Sequence, residues 1–290
     1  MKTAIICIAK NEDKYIKEWV NYHLNLGFDN IIICDNDDED IISKIIDDNR
    51  VIILDYRNNR QKHSFQSFAY TEVFNRYKND YDWITFIDCD EFIVLDEKYK
   101  NISDFLSDDI FKDVDIIRLH WRCFSGGDEL DVIDDDYSVF ERFKTLFDTD
   151  KNKWGKSFLR TSSIPDNCKI RGGHGYFEDK TLKVCNAIGG NCENNWSVVN
   201  EVPLYENAWI NHYPTKTIGE YIRQKYFRGG PNNNNIKYGT LKYFFDFNEY
   251  TYEKIKYGKK IMNILFKKYH KIPVQIKIGY EFNFKKKETG

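Results

Sequence analysis

The stretch DWITFIDCDEFIVL, Asp82–Leu95, decides how the rest of the chain is read. An apolar run of strand length ends in three carboxylates, Asp88, Asp90 and Glu91, and the chain then turns apolar again. Like charges this close repel and are costly to bury unless something positive sits among them. In an extended segment alternate side chains point the same way, so Asp88 and Asp90 can approach one cation while Cys89 faces the core. Hard oxygen ligands, with positions left for water or substrate, suit Mg2+ or Mn2+ bridging phosphates. Two solvated acids in a turn would explain an isolated DxD, but this one is flanked by WITFI and FIVL.

Outward from that strand, the first half alternates short apolar runs with helical patterns. TAIICIA, NIIICD, VIILDY, WITFID and VDIIRLHW read as five strands. Tyr15–Leu26 places Ile16, Trp19, Val20, His23 and Leu24 on one face at helical spacing, and Gly27 stops that helix. Asp40–Ile46 reads as a short helix, residues 64–78 as a longer one with Phe65, Phe68, Ala69, Val73 and Phe74 inward, and a further short helix is expected around 103–107. Strands apolar on both faces and alternating with helices imply a parallel sheet covered on two sides. Ligands of such sheets bind at the carboxyl ends of the strands. Those ends are polar here: KNED at 10–13, DNDDED at 35–40, DYRNNRQ at 55–61 and DCDE at 88–91. Four strand ends therefore converge on one rim.

The chain has 290 residues, 41% hydrophobic and 16% aromatic, enough to bury a sizeable core and too aromatic for a disordered protein. No run of about 18 apolar residues offers a membrane span. The opening MKTAIICIAKNE lacks a small-residue cleavage site and reads as a buried strand, which makes a cytoplasmic protein the expectation. Seven cysteines, mostly inside apolar runs, suit reduced buried thiols, and no CxxC spacing suggests structural zinc. Residues 215–290 carry 17 Lys and Arg against 6 Asp and Glu, whereas the preceding 214 carry 26 against 40. A basic C-terminal part of this kind either meets something anionic, such as a phosphate or a membrane surface, or is a set of solvated basic helix faces.

No P-loop, GxGxxG or nucleophile elbow occurs. Haloacid-dehalogenase-type phosphatases also place DxD after an apolar strand, but near the N-terminus and with Thr or Val where Phe92 stands. IAKNEDKYIKEWVNYHLNLGFDNIIICDND followed by WITFIDCDEF resembles GT-A glycosyltransferases, in particular the family-2-like and family-92-like branch. HWRCFSGG and INHYPTKTIGEYIRQKYFRGG resemble later segments of the same branch, so that the resemblance covers roughly residues 3–230.

The resemblance implies a GT-A fold, an α/β Rossmann-like, mostly parallel sheet flanked by helices, with a helical C-terminal extension. Residues 1–230 would form the transferase domain, with a nucleotide-binding half at 1–120 and an acceptor-binding half at 121–230. Residues 231–290 would form the basic extension, with a possible peripheral membrane contact. The implied activity is metal-dependent transfer of a sugar, inverting, from a nucleotide diphosphate donor, UDP favoured, to a glycan or glycoconjugate hydroxyl. No nucleic-acid partner is expected.

Asp88 and Asp90 would hold Mn2+ or Mg2+, with His212 returning to the ion as a further ligand. Asn11, Glu12, Asp35 and Asn36 would contact base and ribose, with Arg60, Gln66 and Tyr70 completing the pocket. The plain alternative for Asn11 or Asp13 is helix capping. Lys156, Lys225 and Arg228 are phosphate candidates, the last two spaced to face one group. Asp128, His174 and Asp179, the last beside Glu178, are the candidates for the base that deprotonates the acceptor. A nucleotidyltransferase on a similar sheet and a non-catalytic carbohydrate-binding scaffold are the competing readings.

Overall fold

The computed structural model describes residues 1–57, 65–126, 138–147, 150–172, 174–192, 202–221, 224–225 and 241–248. The first half runs β1 (Thr3–Ala9), α1 (Ile16–Asn25), β2 (Asn30–Asp35), α2 (Ile42–Ile45), β3 (Val51–Asp55), α3 (Phe65–Tyr77), β4 (Trp83–Phe86), β5 (Glu91–Leu95) and α4 (Ile102–Leu106). The second half adds β6 (Ile116–Ser125), α5 (Val139–Arg142), β7 (Thr145–Leu146), β8 (Gly155–Arg160), β9 (Val184–Asn186), β10 (Asn191–Cys192), β11 (Ala208–His212), α6 (Ile218–Tyr221) and α7 (Leu241–Phe247).

The large sheet has the order β10-β9-β6-β8-β4-β1-β2-β3. Its β4-β1-β2-β3 part is parallel, as the alternating pattern of the first ninety residues requires. Beyond β4 the sheet is mixed, because β8 enters antiparallel to both β4 and β6. Successive residues of β1 feed opposite faces. Ile5 and Cys7 join a core with α1, α4 and β5, while Ala4 and Ile6 join a second core with α3. The strands are therefore covered on both sides by helices.

α1 buries Ile16, Trp19, Val20, His23 and Leu24, the face that its periodicity specifies. Its N-terminus has no side-chain cap, so the capping role open to Asn11 or Asp13 is not taken up. Gly27, at φ +102°, provides the left-handed turn that ends it. His23 ties the helix to β5. Its Nδ1 lies 2.9 Å from the Trp19 carbonyl, its Nε2 accepts from the Ile93 N–H, and its ring stacks on Phe92. Burial pushes its pKa down to about 3, which keeps the ring neutral.

β6 is the strand that shapes the rim. Ile116–His120 pair with β8 in the large sheet. From Trp121 onward the strand leaves that sheet and pairs with β11, which in turn pairs antiparallel with β5. Gly155 permits the tight approach of β8 to β6, since a Cβ there would lie 1.7 Å from the Leu119 carbonyl oxygen. α7, a described part of the expected extension, packs Phe247 on Phe147 and Phe244 on Tyr221. Asn248, just after it, accepts from the Gly126 N–H and the Thr215 hydroxyl.

All seven cysteines are free and six are buried. No described helix is long and apolar enough to cross a membrane.

Candidate active site

Asp88 follows β4, Asp90 precedes β5, and the two are brought against side chains far away in sequence. β11 runs beside β5 in a register that sets His212 opposite Glu91, and the Tyr213 N–H donates to the Asp90 carbonyl. His212 Nε2 thereby stands 3.8 Å from Asp90 Oδ1. β8 delivers Lys156 from the other side, its Nζ 2.7 Å from Asp88 Oδ2 and 3.4 Å from Glu91 Oε2. Lys225 donates to Asp90 Oδ2 at 2.6 Å and to the Pro214 carbonyl at the same distance. Tyr70 donates its hydroxyl to Asp88 Oδ1 at 3.2 Å.

Burial alone would raise the pKa of Asp88, but the Lys156 ammonium outweighs it and holds the carboxyl below the usual range. Lys225 does the same for Asp90, still more strongly. Glu91 goes the other way, its pKa pushed well up by complete burial, and its Oε1 has no hydrogen-bond partner. Burial pushes the His212 pKa down to about 3, so its ring is neutral near pH 7 and able to ligate.

These groups fit a divalent cation. A separation of 3.8 Å between Asp90 Oδ1 and His212 Nε2 is too long for a hydrogen bond. It lies within the roughly 2.9–4.2 Å that two oxygen or nitrogen ligands of one small cation span when each bond is about 2.1 Å. Among the described residues, no group of three or more His, Cys, Asp or Glu side chains is arranged to hold a metal ion.

His174 is also brought to this place. Its ring lies 5.7 Å from that of Trp121, which in turn lies 4.4 Å from that of His212. The Gly155 carbonyl, 2.8 Å from His174 Nδ1, can only accept, so the proton sits on Nδ1 and Nε2 carries the lone pair. Burial, with Lys156 nearby, pushes its pKa down to about 4. Asp179 has a local task, accepting from the N–H and the hydroxyl of Thr181 in its own turn. Glu178 stands 3.7 Å from an Arg171 guanidinium nitrogen.

The nucleotide candidates gather at the ends of β1 and β2. Asn11 adopts a left-handed φ of +58° and donates its N–H to Asp37 Oδ1. Asp35 accepts from the Asp37 N–H, and burial raises the pKa of both acids. Asn36 donates its N–H to the Ala9 carbonyl, and its buried Oδ1 has no hydrogen-bond partner. Glu12 turns toward the later half, accepting from Gln224 Nε2 at 3.0 Å with Lys216 Nζ 3.8 Å away. Gln66 is half-buried in the first turn of α3. Arg60, Asp128 and Arg228 lie outside the described residues.

Sequence reasoning missed the buried network behind this rim. Tyr15 donates its hydroxyl to Glu220, and Arg142 donates to both Tyr15 and Glu220. Lys216 lies over the Tyr15 ring. Trp121, between the two histidines, was visible only as part of HWRCFSGG, where nothing marks its indole as a neighbour of His212.

The model of glycosyltransferase family 92 matches residues 2–166, more than half of the chain. A glycosyltransferase family 92 protein of Ricinus communis is 27% identical over 128 residues, covering 42% of this chain and 22% of that protein. One from Oryza sativa subsp. japonica is 27% identical over 92 residues, covering 31% of this chain and 15% of its own. The chain thus spans about a fifth or less of the length of these curated relatives. The crystal structure of S. aureus TarS superposes with a TM-score of 0.30 at 17% identity, over 60% of this chain and 32% of that one.

Proposed function

The chain belongs to glycosyltransferase family 92, and we propose on that premise that it transfers a sugar from a nucleotide diphosphate donor, with UDP favoured, to a hydroxyl of a glycan or glycoconjugate. The convergence of Asp88, Asp90, neutral His212, Lys156 and Lys225 on one rim is the observation that carries this reading. Asp90 and His212, with Asp88 beside them, would hold Mn2+ or Mg2+. When bound, such an ion neutralises charge on the diphosphate and makes it a better leaving group.

The remaining work falls to the chain's own side chains. Lys225 is a cation within reach of the same phosphates, while Lys156 keeps Asp88 ionised. Asn11, Asp35 and Asn36 line the end of the parallel strands, where a nucleoside binds in sheets of this kind. The unpaired Asn36 Oδ1 supplies an acceptor for a base N–H. His174 is the candidate base whose ring stands beside the rim, with Nε2 unprotonated and ready to take the acceptor's proton. Its low pKa makes it a weak base until substrate alters its surroundings. Attack from the side opposite the leaving diphosphate gives inversion. Residues 1–120 would then serve the nucleotide and 121–230 the acceptor, with the basic C-terminal region meeting an anionic surface.

Incubation with UDP-sugars and Mn2+ tests the proposal. Release of UDP, lost in Asp88→Asn and Asp90→Asn, is the expected result. Cleavage of the donor to UMP and a sugar 1-phosphate, or turnover indifferent to both substitutions, would overturn it.

A further inference from the structure

We propose that the acceptor carries an oxyanion, a phosphate or a carboxylate, and that a basic cleft between β6, β8 and His174 receives it. The inference rests on the proposed function and adds to it the chemical class of the acceptor.

Arg118 and His120 of β6, Lys153 and Trp154 just before β8, Lys156 on it, and His174 line this cleft. Three cations and no carboxylate stand among its described lining residues. Local composition does not account for that bias, because residues 1–214 carry 40 Asp and Glu against 26 Lys and Arg. Lys156 already serves Asp88 and Glu91. Arg118 is buried, its guanidinium carbon 5.6 Å from the Phe177 ring centroid, and its planar fork suits an oxyanion. The enclosed part of the cleft has a volume of about 10 Å3, room for one water. An oxyanion would therefore sit at the mouth, where Lys153, Trp154 and His174 are half-buried, with the Arg118 charge beneath it.

The order of the strands assigns the cleft to the acceptor. The nucleotide candidates stand at the ends of β1 and β2, Asp88 follows β4, and β8 and β6 lie on the far side of β4 from them. A ligand in the cleft is thus separated from the nucleoside by the acid pair. His174 lines the same cleft, with its Nδ1 held 2.8 Å from the Gly155 carbonyl. A hydroxyl brought to His174 Nε2 and an anion at Lys153 and Arg118 would then belong to one molecule. Trp154, its ring 6.0 Å from that of His174, adds an apolar wall for the sugar between them.

The test uses the full chain saturated with Mn2+ and UDP, titrated in a calorimeter with methyl glucoside, methyl glucuronide and methyl glucoside 6-phosphate. At least one anionic glycoside should bind about tenfold or more tightly than the neutral one, the scale of a charge-assisted contact, and the better of the two tells phosphate from carboxylate. Lys153→Gln and Arg118→Gln should each remove most of that preference while leaving UDP affinity at saturating Mn2+ within about twofold of wild type. Thermal unfolding checks that both variants fold, and the half-buried Lys153 carries the test should Arg118→Gln not fold. Equal binding of all three glycosides, no binding of either anionic one, or a preference indifferent to the substitutions overturns this inference alone. UDP affinity falling in both variants would assign the cleft to the donor's diphosphate, and overturns it too. So does a preference for UDP-glucuronate over UDP-glucose that the same variants erase, since the anion would then sit on the donor sugar. Wild type that binds no UDP with Mn2+ overturns the proposed function, and the inference with it.

Discussion

Lys156→Met is the substitution whose consequences the structure specifies most fully. The ammonium is 1% exposed and lies 2.7 Å from Asp88 and 3.4 Å from Glu91, which is completely buried. Removing one partner of a buried pair leaves an uncompensated charge and costs about 3–5 kcal/mol. The lower end is expected at neutral pH, because Asp88 is 34% exposed on its side chain and can recover water. The cost should depend on pH with a definite sign. Burial raises the folded pKa of Glu91, and loss of Lys156 raises it further. A carboxyl whose folded pKa is raised destabilises the fold increasingly as pH climbs from its unfolded value, about 4.3, toward the folded one. Asp88, held low in the wild type, contributes stability above its unfolded value of about 3.9, and Lys156→Met forfeits that contribution. The Asp88 loss is already complete at pH 5, so it is Glu91 that makes the variant's deficit larger at pH 8 than at pH 5. Adding Glu91→Gln should restore part of the loss, since the amide oxygen can still accept from the Asp88 N–H, now 3.0 Å from Oε2. Urea unfolding of wild type, Lys156→Met and the double variant at both pH values measures this. A deficit equal at the two pH values, or a double variant no more stable than the single one, would refute the reasoning.

Gly155→Ala should unfold the protein or cost several kcal/mol in a thermal melt, because its Cβ would lie 1.7 Å from the Leu119 carbonyl and push β8 off β6. Arg142→Met should cost about 3–5 kcal/mol in urea unfolding at pH 7, since Glu220 is left buried without its guanidinium. The wild-type Glu220 pKa is held down to about 2, against the pull of burial, by Arg142 and Tyr15. Its stabilisation is present above the unfolded value of about 4.3 and fades as pH falls through the folded one, so the variant's deficit should shrink between pH 5 and pH 2. Asn248→Ala should cost about 1 kcal/mol and raise amide exchange at Gly126, whose N–H it leaves without the Asn248 acceptor.

The parallel half of the fold was legible because its information is local. In β1, β2 and α1 apolar spacing alone fixes element type and buried face, and the five buried residues of α1 match the pattern one for one. The acid pair was legible for the same reason. Its partners were harder to place, since Lys156 stands 68 residues from Asp88 and Lys225 stands 135 from Asp90. Those contacts exist only because β8 inserts between β4 and β6 and β11 folds back on β5, and no periodicity encodes strand order. FIVL was visible as an apolar run, but its role as an antiparallel partner of β11 depends on a segment more than a hundred residues later. Asn11 was read as a nucleotide contact with helix capping as the plain alternative, and its left-handed turn is a feature that a single sequence does not announce. Asp179 resembled a base by its company in HGYFED, yet it holds its own turn.

The central claim is that Asp88 and Asp90 tolerate their proximity at this rim in order to hold a divalent cation against a diphosphate. Crystals soaked with Mn2+ and UDP, measured at the manganese absorption edge, test it most directly. The account predicts an anomalous peak bonded to the Asp90 carboxylate and to a UDP phosphate oxygen, with His212 Nε2 beside it. UDP bound at the ends of β1 and β2 with no such peak, or a peak away from both aspartates, would contradict it.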